Sequence, residues 1–296
     1  MEDKTVKISW VVPAYNEEEA IEPVLKEILD LMGTLEYTYE VIVVDDGSRD
    51  RTAEIASSLP GVRIVTHQRN RGNGAARTTG VKASLGEYVI MTDADGTYPL
   101  DAVPEMFRLM DDGAAMVVGA RVREAGTMPL LRRPAKAFIK ALASYMVEFK
   151  IPDLNSGLRV LRKDLAQRFF GILPTTHSWV STITMAAISS GERVEFVPID
   201  YHPRIGRSTF HPIRDTYNYL YLVVRTIMYF NPVRLFIPLF VALFSVGVIK
   251  FIVDLFRFKF TGHIPASTVI ILLGAIQVAA IGLLADLIVK TGRLRQ

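Results

Sequence analysis

The run Glu87–Pro99, EYVIMTDADGTYP, constrains the fold of this chain more than any other stretch. Tyr88 to Met91 is apolar and rich in strand formers, and it stops abruptly at Asp93-Ala94-Asp95-Gly96. A buried strand that delivers carboxylates to its C-terminal edge puts them where open α/β sheets bind ligands. Residues i and i+2 of a strand share a face, so Asp93 and Asp95 converge. Mg²⁺ and Mn²⁺ prefer carboxylate and phosphate oxygens, and the pair therefore suits a hard cation carrying a diphosphate. By residue type alone it equally suits a polar turn, because Asp and Gly favour turns.

The rest of the first half repeats this architecture. Val6 to Val12 reads as a strand closed by Pro13, and Glu40 to Val44 as a second strand, again ending in carboxylates, Asp45-Asp46. Val62 to Val65 and Ala114 to Gly119 complete the early strands. Asn16 followed by three glutamates resembles a helix N-cap with an acidic first turn. Ile21, Val24, Leu25, Ile28 and Leu31 then recur at helical spacing. Further helices are expected over 51–58, 74–85, 102–110, 135–147 and 177–189. Asp153 to Leu161 reads as a turn into a strand, and Arg193 to Ile199 as another strand. Strands alternating with helices predict an α/β domain with a mostly parallel sheet. Tyr15, Glu17, Asp45, Asp46, Asp93 and Asp95 then all fall at its C-terminal edge.

Composition narrows the chemistry. The chain has no cysteine, which excludes disulfides, thiolate nucleophiles, iron–sulfur clusters and zinc–thiolate sites. Its five histidines show no HExxH spacing. The N-terminus lacks a basic segment followed by a long apolar one, so no signal peptide is expected and the first domain is expected to stay in the cytoplasm.

The net charge of +3 conceals an asymmetry, because residues 121–150 and 201–234 are strongly basic and the remainder is acidic. That pattern points to a particular anionic surface. Leu235 to Val253 is apolar except for Lys250, and Ala266 to Ala285 carries no charge. Each run has the length of a bilayer-spanning helix, about 20 residues. A transmembrane hairpin is therefore expected, and the partner surface is membrane headgroups rather than nucleic acid. Positive-inside counting does not orient it, since the turn and the tail are both basic. Two spans return the tail to the side of the first domain. Arg132, Arg133 and Lys136 open an amphipathic segment suited to an anionic membrane or to plain solvent. Tyr217 to Tyr229 is aromatic-rich and reads as an interfacial helix. The expected organisation is a domain over 1–210, a juxtamembrane helix over 211–232, and a hairpin with a basic tail over 233–296. Small-xxx-small spacing at Ala275 and Ala279 permits helix packing, including a homo-oligomer.

The motifs VVPAYNEEE (11–19), VIVVDDGSRDRT (41–52), NRGNGAARTTG (70–80) and the strand ending in Asp93-Ala94-Asp95 resemble, in order, family 2 glycosyltransferases of the GT-A fold. SGLRVLRK (156–163) and RIGRSTFHPIRD (204–215), followed by membrane spans, look like the polyprenyl-phosphate glycosyltransferase group, which includes the dolichyl-phosphate mannose and glucose synthases. The resemblance implies that Pro13, Tyr15, Glu17 and Asp46 line the nucleotide pocket. It implies that Asp93, with Ala94, contacts the nucleotide sugar, and that Asp95, with Asp93 beside it, ligates Mg²⁺ or Mn²⁺. Mannose synthases carry a further Gln ligand two positions after the second Asp, where this chain has Thr97. In the basic loop Arg204, Gly206 and Ser208 fit the family pattern, Thr209 replaces a common Lys, and Arg207 can supply that charge. Arg132, Arg133, Lys136, Ser156 and Arg207 are the candidates for the acceptor lipid.

The implied reaction is inverting transfer from a UDP- or GDP-linked sugar to a polyprenyl or dolichyl phosphate on the cytoplasmic face. A phosphate monoester has its second pKa near ~6, so the acceptor is already nucleophilic at neutral pH. Asp153 can orient or deprotonate it, or be an ordinary turn residue. Two alternatives share the catalytic start. A processive polysaccharide synthase would carry a QxxRW motif, and neither Trp10 nor Trp179 lies in one. A non-enzymatic nucleotide-sugar-binding membrane protein would be expected to have lost the acidic pair.

Overall fold

The computed structural model describes residues 6–124, 147–202, 231–258 and 264–293, with isolated positions between them. Seven strands form one sheet: β1 (Ile8–Ala14), β2 (Tyr39–Asp45), β3 (Val62–Thr66), β4 (Tyr88–Met91), β5 (Met116–Glu124), β6 (Arg159–Arg162) and β7 (Val194–Tyr201). Their order is β3-β2-β1-β4-β6-β5-β7. The helices of this unit are α1 (Ile21–Thr34), α2 (Thr52–Ser58), α3 (Asn73–Ala83), α4 (Val103–Asp111), α5 (Lys163–Arg168) and α6 (Trp179–Ser189).

All strand pairings are parallel except those of β6, which runs against both β4 and β5. That reversal positions the site. Arg159, the first residue of β6, pairs with Met91, the last of β4. The segment leading into β6, Asp153 to Gly157, therefore arrives at the same sheet edge as Asp93 and Asp95. The sequence pattern contains no signal for the direction of a four-residue strand, since periodicity is the same either way.

Strand β1 is buried along its whole length. Ile8, Trp10 and Val12 share one core cluster with Ile21, Leu25 and Ile28 of α1 and with Val103, Met106 and Phe107 of α4. Val11 lies against α3, where a Cβ at Gly80 would clash with the Val11 side chain. The strand does not close at Pro13 but runs to Ala14. Pairing with β4 has ended by Val11, so the missing proline N–H interrupts no bond on that side.

Asn16 is not the cap of α1. It adopts φ 56°, its side-chain oxygen accepts the Arg49 N–H at 2.8 Å, and α1 starts at Ile21 behind Ala20. The strand expected over Ala114 to Gly119 does not end there but continues as β5 to Glu124. Helix α5 was not anticipated. The expected helix over 135–147 and the juxtamembrane helix lie largely outside the described residues.

The chain divides into compact units at Leu222/Val223. The second contains α7 (Val233–Arg257) and α8 (Ala266–Arg293). Both are long and apolar enough to cross a membrane. Their contact is close where side chains are small: a Cβ at Gly247 would strike Leu272, and one at Gly282 would strike Phe236. Ala275 is fully buried within this hairpin. Asp254 on α7 takes the Lys250 ammonium at 2.9 Å and the hydroxyl of Thr268 on α8. A carboxylate on an apolar helix is thereby partnered across the hairpin.

Candidate active site

Two acidic corners stand at the C-terminal edge of the sheet. At the end of β2, Asp46 is almost wholly buried. Its Oδ1 lies 2.6 Å from His67 Nδ1 and accepts the Arg71 N–H at 2.9 Å. Its Oδ2 accepts the Gly72 N–H at 2.7 Å. A carboxylate only accepts, so the His67 proton sits on Nδ1, and Nε2 faces the Thr79 hydroxyl at 2.9 Å. Asp46 thus fixes the loop that enters α3. Asp45 accepts the Ser48 N–H at 3.1 Å. The loop after β1 is tied to the loop after β2: Ser48 accepts the Asn16 N–H, and Thr52 accepts the Glu17 N–H at 2.8 Å. Pro13 is buried, while Tyr15 and Glu17 are part-exposed on this corner.

At the end of β4 the arrangement is more open. The Asp93 side chain keeps 28% of its exposure and pairs with Arg77 at 2.5 Å. Ala94 is buried beneath it. Asp95 is 7% exposed, and its Oδ1 accepts the Thr97 hydroxyl at 2.6 Å and the Thr97 N–H at 3.2 Å. Thr97 is fully buried, so its hydroxyl orients Asp95 from behind. Tyr201 also hydrogen-bonds to Thr97 and stacks edge-on against Tyr98. Burial raises the pKa of both phenols, which stay neutral. The Tyr98 hydroxyl accepts the Gly157 N–H at 2.6 Å. Gly157 has no room for a side chain, because a Cβ there would collide with Asp93 Oδ2.

Asp153 reaches this edge in a bidentate pair with Arg121, at 2.6 and 3.0 Å. Burial alone would raise its pKa, but the Arg121 hydrogen bonds and charge, with the Asn155 N–H, hold it below the usual carboxylate range. A carboxylate so held is a poor proton acceptor and a good positioner of Arg121. Ser156 is fully buried, and its hydroxyl has no hydrogen-bond partner among the described residues. Arg159 lies fully buried below, donating to the carbonyls of Ser156 and Val180 and to Thr184. Burial and the neighbouring Arg77 press its pKa downward.

The edge thus brings together Asp93, Ala94, Asp95, Asp153 and Ser156, with Pro13, Tyr15, Glu17 and Asp46 at the neighbouring corner. Arg132, Arg133, Lys136, Arg204 and Arg207 lie outside the described residues. Sequence reasoning missed Arg77, Arg121 and Arg159. Arg77 had a readable signal: it is a charge among Ala75, Ala76, Gly80 and Val81 on α3, one turn after Asn73.

Among the described residues no three His, Asp or Glu side chains form a metal cage. The edge still fits a divalent ion. Mg²⁺-type ions are commonly held by one or two carboxylates together with substrate phosphates, and Asp95, oriented by Thr97, offers one.

The acidic edge sits on a mostly parallel α/β sheet of the GT-A type. Residues 9–170 match glycosyl transferase family 2, and residues 231–291 match the GtrB C-terminal hairpin. The chain belongs to glycosyl transferase family 2, with a membrane hairpin of the GtrB type. It is 34% identical to a dolichyl-phosphate hexose transferase of Haloferax volcanii, over 69% of this chain and 87% of that protein. It is 27% identical to a prophage bactoprenol glucosyl transferase homolog of Escherichia coli, over 97% and 94%. A dolichyl-phosphate beta-glucosyltransferase of Trichomonas vaginalis is 30% identical over 67% of this chain, and the match spans 64% of that relative's length. Glucosyl-3-phosphoglycerate synthase of Mycobacterium tuberculosis, solved with Mn²⁺, UDP-glucose and phosphoglyceric acid, superimposes with a TM-score of 0.59. It shares 21% identity over 75% of this chain and 80% of that one, which carries the fold.

Proposed function

We propose that this protein transfers a hexosyl group from a nucleoside diphosphate sugar to a polyprenyl phosphate, giving a lipid-phosphate-linked sugar and a nucleoside diphosphate. The observation that carries this reading is the union, in one chain, of the acidic sheet edge with a GtrB-type hairpin. Such a hairpin serves an enzyme whose acceptor is itself a membrane lipid. The relatives' names support the same acceptor class and make glucose the first sugar to try.

The corner formed by Tyr15, Glu17 and the Asp45–Asp46 turn holds the nucleoside. Asp93 accepts a hydroxyl of the donor sugar, and Asp95 would hold Mg²⁺ or Mn²⁺. When bound, that ion neutralises charge on the leaving diphosphate as a Lewis acid. The acceptor phosphate oxygen forms the new bond to the anomeric carbon as the bond to the diphosphate breaks, so one displacement inverts that carbon. No strong base is required, because the acceptor is ionised before it binds. Asp153 accordingly acts through Arg121, which it fixes at the edge beside Ser156. Arg204 and Arg207 supply further positive charge to the phosphates. Arg132, Arg133 and Lys136 favour an anionic headgroup surface. The catalytic domain faces the cytoplasm, where nucleotide sugars are available.

The test is a donor panel. The full chain in detergent, with polyprenyl phosphate and Mg²⁺ or Mn²⁺, is offered UDP- and GDP-linked sugars. Labelled sugar in the organic phase from one donor is the expected result. Sugar remaining in the aqueous phase with every donor overturns the reading.

A further inference from the structure

Asp93 and Asp95 stand two residues apart at one edge, yet the protein holds them in opposite ways. Asp93 Oδ1 receives Nη2 of Arg77 at 2.5 Å. The Arg77 side chain is 2% exposed, and its guanidinium is fixed at its other corners. Its Nε donates to Asn73 Oδ1 at 2.7 Å, one helical turn earlier. Its Nη1 faces the Gly157 carbonyl at 3.4 Å and the Met91 sulfur at 3.6 Å. Arg77 therefore ties α3, the end of β4 and the approach to β6 to one carboxylate oxygen. The other oxygen, Oδ2, packs close against Gly157, which a Cβ there would forbid, and the Asp93 side chain as a whole still keeps 28% of its exposure. Asp95 takes the hydroxyl and N–H of Thr97, which orient it without cancelling its charge.

We propose that Arg77 is a positioning residue that keeps Asp93 off the metal, taking one of its oxygens and presenting the other to a hydroxyl of the donor sugar. The inference rests on the glycosyl-transfer reading and divides its two acidic residues by role. A hard cation competes poorly for a carboxylate already neutralised by a buried guanidinium. Hydrogen bonding from a neutral sugar hydroxyl faces no such competition. Arg77 thus converts a pair that would chelate into one ion ligand and one sugar acceptor. Its fork geometry matters as well as its charge, because Nε and both Nη atoms have separate partners.

The test uses the full chain in detergent and measures Mn²⁺ binding by the electron paramagnetic resonance of free Mn²⁺, with UDP and separately with GDP. Transfer is assayed in parallel. In Arg77→Met, Asp93 is released to the ion. Mn²⁺ binding tightens by about tenfold, while kcat falls by about tenfold or more, the range in which outer-shell partners act. Arg77→Lys recovers part of the transfer rate without the fork. A second substitution, Asp93→Asn, in the Arg77→Met background returns Mn²⁺ affinity to the wild-type value. A merely structural arginine would instead weaken ion binding and transfer together. Asn73→Ala, which frees only Nε, shifts both quantities in the same directions by a smaller factor and serves where Arg77→Met does not fold. Unchanged or weakened Mn²⁺ binding in folded Arg77→Met, or in Asn73→Ala, overturns the proposal. Wild-type transfer in that same experiment leaves the functional reading standing. A wild type that binds no nucleotide–Mn²⁺ complex overturns both.

Discussion

The two acidic corners of the sheet look alike in sequence and differ in structure. Each caps an apolar strand, and each presents a pair of aspartates. Asp46 at the end of β2 retains 3% of its side-chain exposure and is surrounded by donors of the protein itself. Asp93 at the end of β4 retains 28%, with one oxygen held by Arg77 and the other lying against the bare backbone of Gly157. A carboxylate saturated by internal donors builds the site, whereas one left half-satisfied can recognise something. The difference arises from the segments that pack against each strand end. After β2 the chain folds back on the loop entering α3, which supplies backbone N–H groups. After β4 it meets the reversed strand β6, whose approach through Gly157 brings no side chain.

This contrast predicts a graded series of effects. Asp95→Ala falls hardest. Transfer drops by about 10²-fold or more, the scale of losing a main electrostatic stabiliser, with the melting temperature nearly unchanged. A rate within a few-fold of wild type would remove Asp95 from the ion. Asp46→Ala acts chiefly on stability, by about 1–3 kcal/mol, because buried His67 and two part-buried N–H groups lose their acceptor. Denaturant melts read this loss, and a fully stable Asp46→Ala protein with abolished nucleotide binding would reverse the assignment of the two corners.

The smallest effect concerns acid. The folded-state pKa of Asp153 is depressed, so its pairing stabilises the protein above the unfolded value, near ~3.9, and that contribution is lost as pH falls through the folded value. Arg121→Met removes the cause of the depression and leaves burial, which acts in the other direction. The acid-side slope of stability between about pH 5 and 3 should therefore flatten or change sign in melts of that variant. An unchanged slope would show that Asp153 does not depend on Arg121.

The strands β1, β2 and β4 could be read from apolar runs nearly to the residue, because a buried parallel strand must be apolar on both faces. The helices α1 and α4 followed from their periodic apolar faces. The acidic edge was legible for the same reason, since strand ends were legible. The direction of β6 was not, because nothing in Arg159–Arg162 distinguishes the two orientations. Asn16 misled because it has the residue type and acidic followers of a cap, while its side chain is taken by a loop 33 residues away. Arg121 and Arg159 were invisible for a related reason. Their partners are distant in sequence or are backbone atoms, so only the fold reveals what makes their burial tolerable. Sequence thus exposes groups that sit at strand ends and hides the cations that assign those groups their roles.

The central claim is that the sugar goes to a lipid phosphate in a single displacement. The most direct measurement is the anomeric configuration of the organic-phase product by proton NMR, formed by the full chain with and without added polyprenyl phosphate. The account predicts product only when the lipid is supplied, with the anomeric centre inverted relative to the donor. A retained configuration, or sugar released to water at the same rate with no lipid present, would contradict it.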